Sequence, residues 1–336
     1  MRDYSMRTIF ITIFQAIEAK NILRTTVLER LAARPDIRLV CFVKFEERAA
    51  FYRREIPHER VVFEPFPSMP QGYFERCMSF LKFHLIRTKT TNLKKRMNLE
   101  RSGNWPLFFV SHILNWLFAR SIVRRLLRPL DLRLVGDPGF GPYFERYRPA
   151  VVLLAHLFDD VETALLREAR RRGVPSVGYI NSWDKITTRA SLRLLPDTML
   201  VFNDIVKAEA MRYADMPAGR IIPTGIPQYD RYVTGEPALR EEFFRRIGID
   251  PAKRLVVYAP MGRTFSDSDW EMIDILYTAI ERGRIGPDAA LLVRFQPNDF
   301  VDEAELKRRP RLHYDIPGIR FGTERSVDWD MGFREL

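Results

Sequence analysis

Short apolar runs recur along the chain, and three- and four-residue apolar spacings fill the stretches between them. "RTIFITIF" (7–14), "IRLVCFVK" (37–44), "RVVFE" (60–64), "AVVLLAH" (150–156), "SVGYI" (176–180), "TMLVFN" (198–203) and "RIIPTG" (220–225) have the length and β-branched content of buried strands. Ala16, Ala19, Leu23, Val27 and Leu31 follow the first run at a spacing that makes one helix face. A second helix is predicted from about Asp160 to Arg172, stopping at Gly173 as a left-handed cap, and a third starts at Asp204. Strands that alternate with helices imply a parallel sheet covered on both faces.

The pattern restarts at Pro251. "RLVVYAP" reads as a strand, Ser268 and Glu271 form a capping-box pattern before "WEMIDILYTAI", and Gly283 ends that helix. "ALLVRFQP" is the next strand and "GIRFGT" the expected third. The fold class is therefore α/β, with two Rossmann-like, doubly wound parallel-sheet domains. The first is expected over 1–235, a linker helix over 236–250, and the opening of the second over 251–336. That last stretch holds about three strands where such sheets commonly use five or six, so the second domain is expected to be incomplete, as in a truncated chain.

Composition narrows the class. With 336 residues, 46% hydrophobic and 29% charged, the chain is globular rather than disordered. Two cysteines, Cys41 and Cys77, supply neither a disulfide framework nor a four-ligand zinc site, which fits a reducing cytoplasm. The apolar stretch of the first strand is too short for a secretory signal.

The net charge of +11 is localised: between Lys82 and Arg133, twelve Lys or Arg residues face two acids, Glu100 and Asp131. No zinc-ligand pattern or aromatic RNA-binding signature accompanies it, so nucleic acid is not an expected partner. Trp105 and Trp116 lie in this helical insertion, and Arg120, Arg124 and Arg128 recur every four positions behind them. Two readings fit. One is an amphipathic helix on an anionic membrane, a peripheral attachment to the inner face of the plasma membrane. The other is a domain helix with solvated arginines, and periodicity does not separate the two.

Open α/β sheets bind ligands beyond the carboxyl ends of their strands. The polar residues there are Gln15 and Asn21, His156, the cluster Asn181, Trp183, Asp184 and Lys185, then Thr224, Gly225 and Asp230. In the second unit they are Gly262, Arg263, Thr264, Arg294 and Gln296. A loop of Gly, Arg and Thr before a helix suits a diphosphate, through amides, hydroxyls and a fixed cation, although ordinary turns use the same residues. Arg294, emerging from the next strand, adds a second expected cation.

"VVYAPMGRTF" (256–265), "TGIPQYDRY" (224–232) and "SWDKITTRA" (182–190) resemble elements of bacterial GT-B glycosyltransferases of the capsule-polysaccharide and CDP-glycerol glycerophosphotransferase-like group. The resemblance runs from about 150 to 297, with weaker support in "IFQAIEAKNILRT". It implies a GT-B-like pair of domains, a donor-phosphate role for Arg263, and a Gly-x-Pro-x-x-Asp element formed by Gly225, Pro227 and Asp230 near the interdomain cleft. The chain departs from the glycerophosphotransferases at Met261, where threonine is usual, and at Asp184 and Gln296, where histidine is usual. A nucleotide-sugar donor is therefore expected, with a polysaccharide or lipid-linked acceptor, no cofactor and no tightly held metal.

Asp184 is the first candidate for the general base and His156 the second. Each has a structural alternative: Asp184 as a helix cap with Lys185 as its surface partner, Trp183 as packing rather than a stacking face, and His156 as a hydrogen-bonded strand-end residue. A non-hydrolysing sugar-nucleotide 2-epimerase, a CDP-glycerol-type transferase and a membrane-surface scaffold without turnover are the rival functions, because fold does not fix reaction.

Overall fold

The computed structural model describes residues 6–66, 71–136, 139–235, 239–262, 266–296, 301–316, 319–320 and 327–328. It divides into two compact units, Met1–Phe14 with Asn21–Gln228, and Gln15–Lys20 with Tyr229–Leu336.

The first unit holds a seven-stranded, wholly parallel sheet: β1 Arg7–Ile13, β2 Ile37–Val43, β3 Val61–Pro65, β4 Pro149–Leu154, β5 Ser176–Tyr179, β6 Thr198–Val201 and β7 Ile221–Pro223. The spatial order is β3-β2-β1-β4-β5-β6-β7, so the winding direction reverses between β1 and β4. β1 is sandwiched in register, with Ile11 opposite Cys41 of β2 and Leu153 of β4. α1 Ala16–Ile22, of which residues 16–20 are counted with the second unit, then α2 Thr26–Ala32 and α3 Glu46–Glu55 precede a helical insertion made of α4 Tyr73–Leu81, α5 Lys89–Ser102, α6 Trp105–Phe118 and α7 Ser121–Leu134. α8 Gly141–Tyr147, α9 Asp160–Arg171, the single turn α10 Lys185–Thr188 and α11 Asp204–Ala214 complete the unit.

Phe10, Val40, Phe42, Phe140 and Val152 build the core under this sheet, with Phe42 meeting Phe10 and Phe140 edge-to-face at 4.9 and 5.5 Å. Cys41, between Val40 and Phe42 on β2 and so on the opposite face, is fully buried, its thiol pushed up to about 12 by burial. Gly178 of β5 is required by close approach: a Cβ at that position would sit 2.6 Å from the Leu157 side chain.

Two buried polar ties pin the insertion to the rest of the unit. In the first, Asp131 of α7 accepts from Arg167 Nη2 of α9 and from Arg193 Nε, both at 2.7 Å. Glu75 of α4 pairs with Arg193, while Asp160 accepts from Lys82 Nζ at 2.7 Å and from Arg193 at 3.1 Å. Three cations thus meet three carboxylates. Burial alone would lower Arg193, but hydrogen bonds and charge from Glu75 and Asp131 outweigh it and hold it above the ordinary guanidinium value.

In the second tie, Arg124 makes a bidentate pair with Asp215 at 2.7 Å for both bonds, and Arg128 reaches the same carboxylate at 3.2 Å and the Ala214 carbonyl at 2.7 Å. Within the insertion, the Asn115 amide donates to the carbonyls of His84 and Ile86 at 3.1 and 2.6 Å. The expected basic stripe is corrected here. Arg124 is buried and Arg128 partly so, and both face the protein because Asp215 neutralises them; of the three, Arg120 is the exposed one.

The second unit carries a three-stranded parallel sheet, order β10-β9-β8, from β8 Arg254–Tyr258, β9 Ala289–Arg294 and β10 His313–Asp315. Its helices are α12 Arg231–Thr234, α13 Arg240–Ile247, α14 Asp269–Glu281 and α15 Glu303–Lys307. Alternation along β9 sends Leu291 and Val293 to Ile273 of α14, and Ala290 and Leu292 to Phe244 of α13. Both faces of this sheet are therefore covered, which is the doubly wound arrangement.

Two local expectations differ. The third strand of this sheet is His313–Asp315, whereas Ile319–Arg320 pairs antiparallel with Val327–Asp328 in a separate ribbon. Ser268 takes the N-cap position of α14 without a side-chain cap bond, since its Oγ lies 3.4 Å from that of Ser266.

Candidate functional site

The switch point between β1 and β4 brings strand ends together in the first unit. Thr12 Oγ1 accepts the Ala155 amide at 2.8 Å, locking the end of β4 to β1. The next residue, His156, donates its own amide to Glu162 Oε2 of α9 at 2.7 Å. Its ring is buried, and its pKa is pushed down to about 2, first by burial and then by the charges of Lys185, Arg189 and Lys82. A neutral imidazole of that kind is a hydrogen-bonding group and a poor proton acceptor. Burial and these charges weigh against His156 as the base.

Beyond β5 the chain turns through the cluster singled out in the sequence. Asn181 is 1% exposed; its Oδ1 accepts Lys185 Nζ at 2.7 Å, and its Nδ2 has no hydrogen-bond partner among the described residues. Lys185 is buried, so it is not the surface partner of Asp184. Asp184 occupies the N-cap position of α10 but makes no cap bond with its side chain. Instead its carboxylate accepts from the hydroxyls of Ser182 and of Thr188, the latter at 3.2 Å. Trp183 is 69% exposed, which removes the packing alternative and leaves a bare indole face.

Two helices outside the motif complete the site. Lys94 of α5 donates to the Thr188 carbonyl at 2.8 Å, and Thr88, the cap of α5, donates to the Thr187 carbonyl at 2.7 Å. The insertion thus braces the turn that carries Asp184. Burial lowers Lys94, the charge of Arg189 lowers it further, and Asp184 opposes both, so these three groups share one field. Glu209 of α11 is raised above the ordinary carboxyl value by burial and by the charge of Asp184. A carboxylate oriented by two hydroxyls, a second carboxyl of raised pKa and a rim of cations can hold an anionic, hydroxyl-rich ligand and take a proton from it.

Sequence reasoning missed Lys94, Arg189 and Glu209. Arg189 lies within the 182–190 motif and was available there; Lys94 and Glu209 reach the turn from helices remote in sequence. Thr224 and Gly225 extend the sheet edge, their amides donating to Val201 and Phe202 at 2.8 and 3.1 Å, with Gly225 at φ +77°. Asn21 is buried, and its carbonyl accepts from Thr25 Oγ1 at 3.0 Å.

In the second unit, Gln15 donates its amide to Glu18 Oε2 at 2.9 Å, and the Asp230 carbonyl accepts from Val233 at 3.0 Å. The loop after β8 is partly described; Arg263 and Thr264 lie outside the described residues. Gly262, at φ +85°, donates its amide to Asp269 Oδ2 at 2.7 Å, and Met261 donates to Oδ1 of the same carboxylate at 3.3 Å. These two amides hold the chain's own carboxylate at the head of α14. Gln296 is tied to the Met261 carbonyl at 2.8 Å. The second expected cation is also corrected: Arg294 is paired with Asp315, its neighbour across the β9–β10 register, and brings no unbalanced charge.

Among the described residues, no group of three His, Cys, Asp or Glu side chains is placed to hold a metal ion. No known protein-family profile matches the sequence, and no curated protein does. Several solved structures are similar to it at low identity. The UDP-GlcNAc 2-epimerase of Neisseria meningitidis bound to UDP-GlcNAc is 11% identical, with a TM-score of 0.47, over 94% of this chain and 73% of that one. Staphylococcus aureus MnaA with UDP is 9% identical, TM-score 0.49, over 93% and 68%. A glycosyltransferase from Rickettsia africae is 10% identical, TM-score 0.44, over 93% and 68%.

Proposed function

We propose that the chain is a nucleotide-sugar-dependent glycosyltransferase whose acceptor is activated at the turn after β5. The observation that carries this reading is the Asp184 carboxylate, aimed by the Ser182 and Thr188 hydroxyls beside the exposed Trp183. An acceptor hydroxyl stacked against the indole gives its proton to Asp184 as its oxygen bonds to the sugar. The bond from sugar to diphosphate breaks, and the nucleoside diphosphate leaves with the electron pair. Lys94, Arg189 and Lys185 set a positive field for an anionic acceptor or for the departing charge. The buried Asn181 Nδ2 supplies a donor for a ligand oxygen. The resemblance of "VVYAPMGRTF" assigns the donor phosphates to Arg263, and the departures at Asp184 and Gln296 favour a sugar donor over CDP-glycerol.

The test is a thermal-shift and calorimetric screen of the full chain against UDP-, CDP- and GDP-sugars and CDP-glycerol. The reading expects one sugar-nucleotide class to stabilise the protein and Arg263→Ala to abolish that shift. Silence with every nucleotide would leave the scaffold as the better description, and a response confined to CDP-glycerol would return the chain to glycerophosphate transfer.

A further inference from the structure

The helix α7 is turned inside out. Arg124 and Asp131 are buried and ion-paired within the protein, whereas Ile122, Leu126, Leu130 and Leu134, every fourth residue on the other side, are 43% to 61% exposed. α6 is similar: it carries no charged side chain, buries Asn115, and leaves Trp105, Phe109, Ile113, Trp116 and Leu117 exposed. A water-facing helix does the opposite on both counts. So much exposed apolar surface on consecutive helices marks an interaction site.

We propose that α6 and α7 form a docking face for an anionic lipid surface. The occupant is chosen by charge. Of the two acids between Lys82 and Arg133, Asp131 is consumed inside the protein, which leaves Glu100. Arg120, Arg125 and Arg133 are exposed along the elbow and α7. Arg120 sits 5.9 Å from the Trp116 ring, an arrangement in which an indole enters the acyl boundary while the guanidinium stays at headgroup phosphates. A second copy of the same face would set these arginines against their own kind, so self-association is disfavoured by the charge that favours lipid.

In this proposal the helices lie on the lipid surface, although together the bent pair has the length and composition of a broken span. Each has 14 residues, about 21 Å of helix, against roughly 30 Å of hydrocarbon. They meet at 92°, and among the described residues no single helix is long and apolar enough to span a bilayer. This face is independent of the proposed chemistry, because it contains none of the residues assigned to Asp184's turn.

The experiment is co-sedimentation of the full chain with vesicles of phosphatidylglycerol and phosphatidylcholine, and with phosphatidylcholine alone. Binding is expected to the anionic vesicles, weakened by salt, with Trp105 and Trp116 emission shifting to the blue. Trp116→Glu with Leu126→Glu is expected to lower the partition by about tenfold or more. Arg120→Glu with Arg125→Glu should remove the preference for anionic lipid, while Ile205→Glu, on the exposed side of α11, leaves binding unchanged. All variants are compared at equal melting temperature and circular dichroism. Equal partition of the wild type and the Trp116/Leu126 variant would overturn the proposal. So would no binding at all, or a dimer in light scattering that the same variant dissolves.

Discussion

Replacing Asp131 by asparagine keeps the shape of the side chain and removes the charge between two buried guanidinium groups. Asp131 is 2% exposed and receives three bonds: Arg167 Nε at 3.0 Å, Arg167 Nη2 at 2.7 Å and Arg193 Nε at 2.7 Å. Arg167 and Arg193 are themselves 1% and 3% exposed, so neither can turn to water. An asparagine offers one oxygen where two were used and aims an amide donor at a guanidinium N–H. Removing one partner of such a buried pair costs about 3–5 kcal/mol. Glu75 still reaches both arginines, so the lower half of that range is expected, about 3 kcal/mol. Urea unfolding at neutral pH, followed by tryptophan emission and circular dichroism, measures it. Glu46→Gln, which breaks the exposed pair with Arg53, serves as the comparison and should cost less than about 1 kcal/mol. Asp131→Asn combined with Arg193→Met should be less damaging than the sum of the two changes. A loss below about 1 kcal/mol for Asp131→Asn, or strict additivity, would refute the claim that this network holds the insertion to the rest of the unit.

Gly178→Ala is expected to destabilise by about 1–3 kcal/mol through the clash with Leu157, and Leu157→Ala in the same chain should recover part of the loss; the melting temperatures of the two proteins decide. His156 should show no titration between pH 4 and 8 by nuclear magnetic resonance. Above 6.5 its ring is neutral in both folded and unfolded chains; as pH falls toward about 2, the unfolded chain takes up a proton that the folded one refuses, so stability should fall with pH, and His156→Asn should flatten that slope. Trp183→Ala should weaken ligand binding without moving the melting temperature, as its exposure requires, and an equal affinity would remove the stacking role.

The strand-and-helix alternation was legible because five of the apolar runs form the interior strands β2, β1, β4, β5 and β6 of the first sheet, and such strands are apolar whatever surrounds them. The Asn181–Lys185 cluster was legible for a related reason: a parallel sheet delivers polar residues at strand ends to one edge. What the sequence could not say is which way a helix faces. In α7 the arginines and the aliphatic residues both recur every fourth position, so the period is the same for either orientation. The deciding group, Asp215, lies 91 and 87 residues from Arg124 and Arg128. Arg294 misled in the same way: a cation at a strand end looks available until the neighbouring strand presents Asp315 in register. Lys94 was hidden because it meets the site through the backbone carbonyl of Thr188, a contact that leaves no residue pattern.

Nucleoside diphosphate release, followed by product analysis, tests the assignment of Asp184 most directly. The full chain and its Asp184→Asn variant would be incubated with the nucleotide sugar that binds and with a polyol-rich acceptor mixture. The account predicts that the wild type liberates nucleoside diphosphate and that the variant binds the donor equally but turns over at least about 100-fold more slowly. Equal turnover by the two proteins, or an epimerised sugar nucleotide as the product, would contradict it.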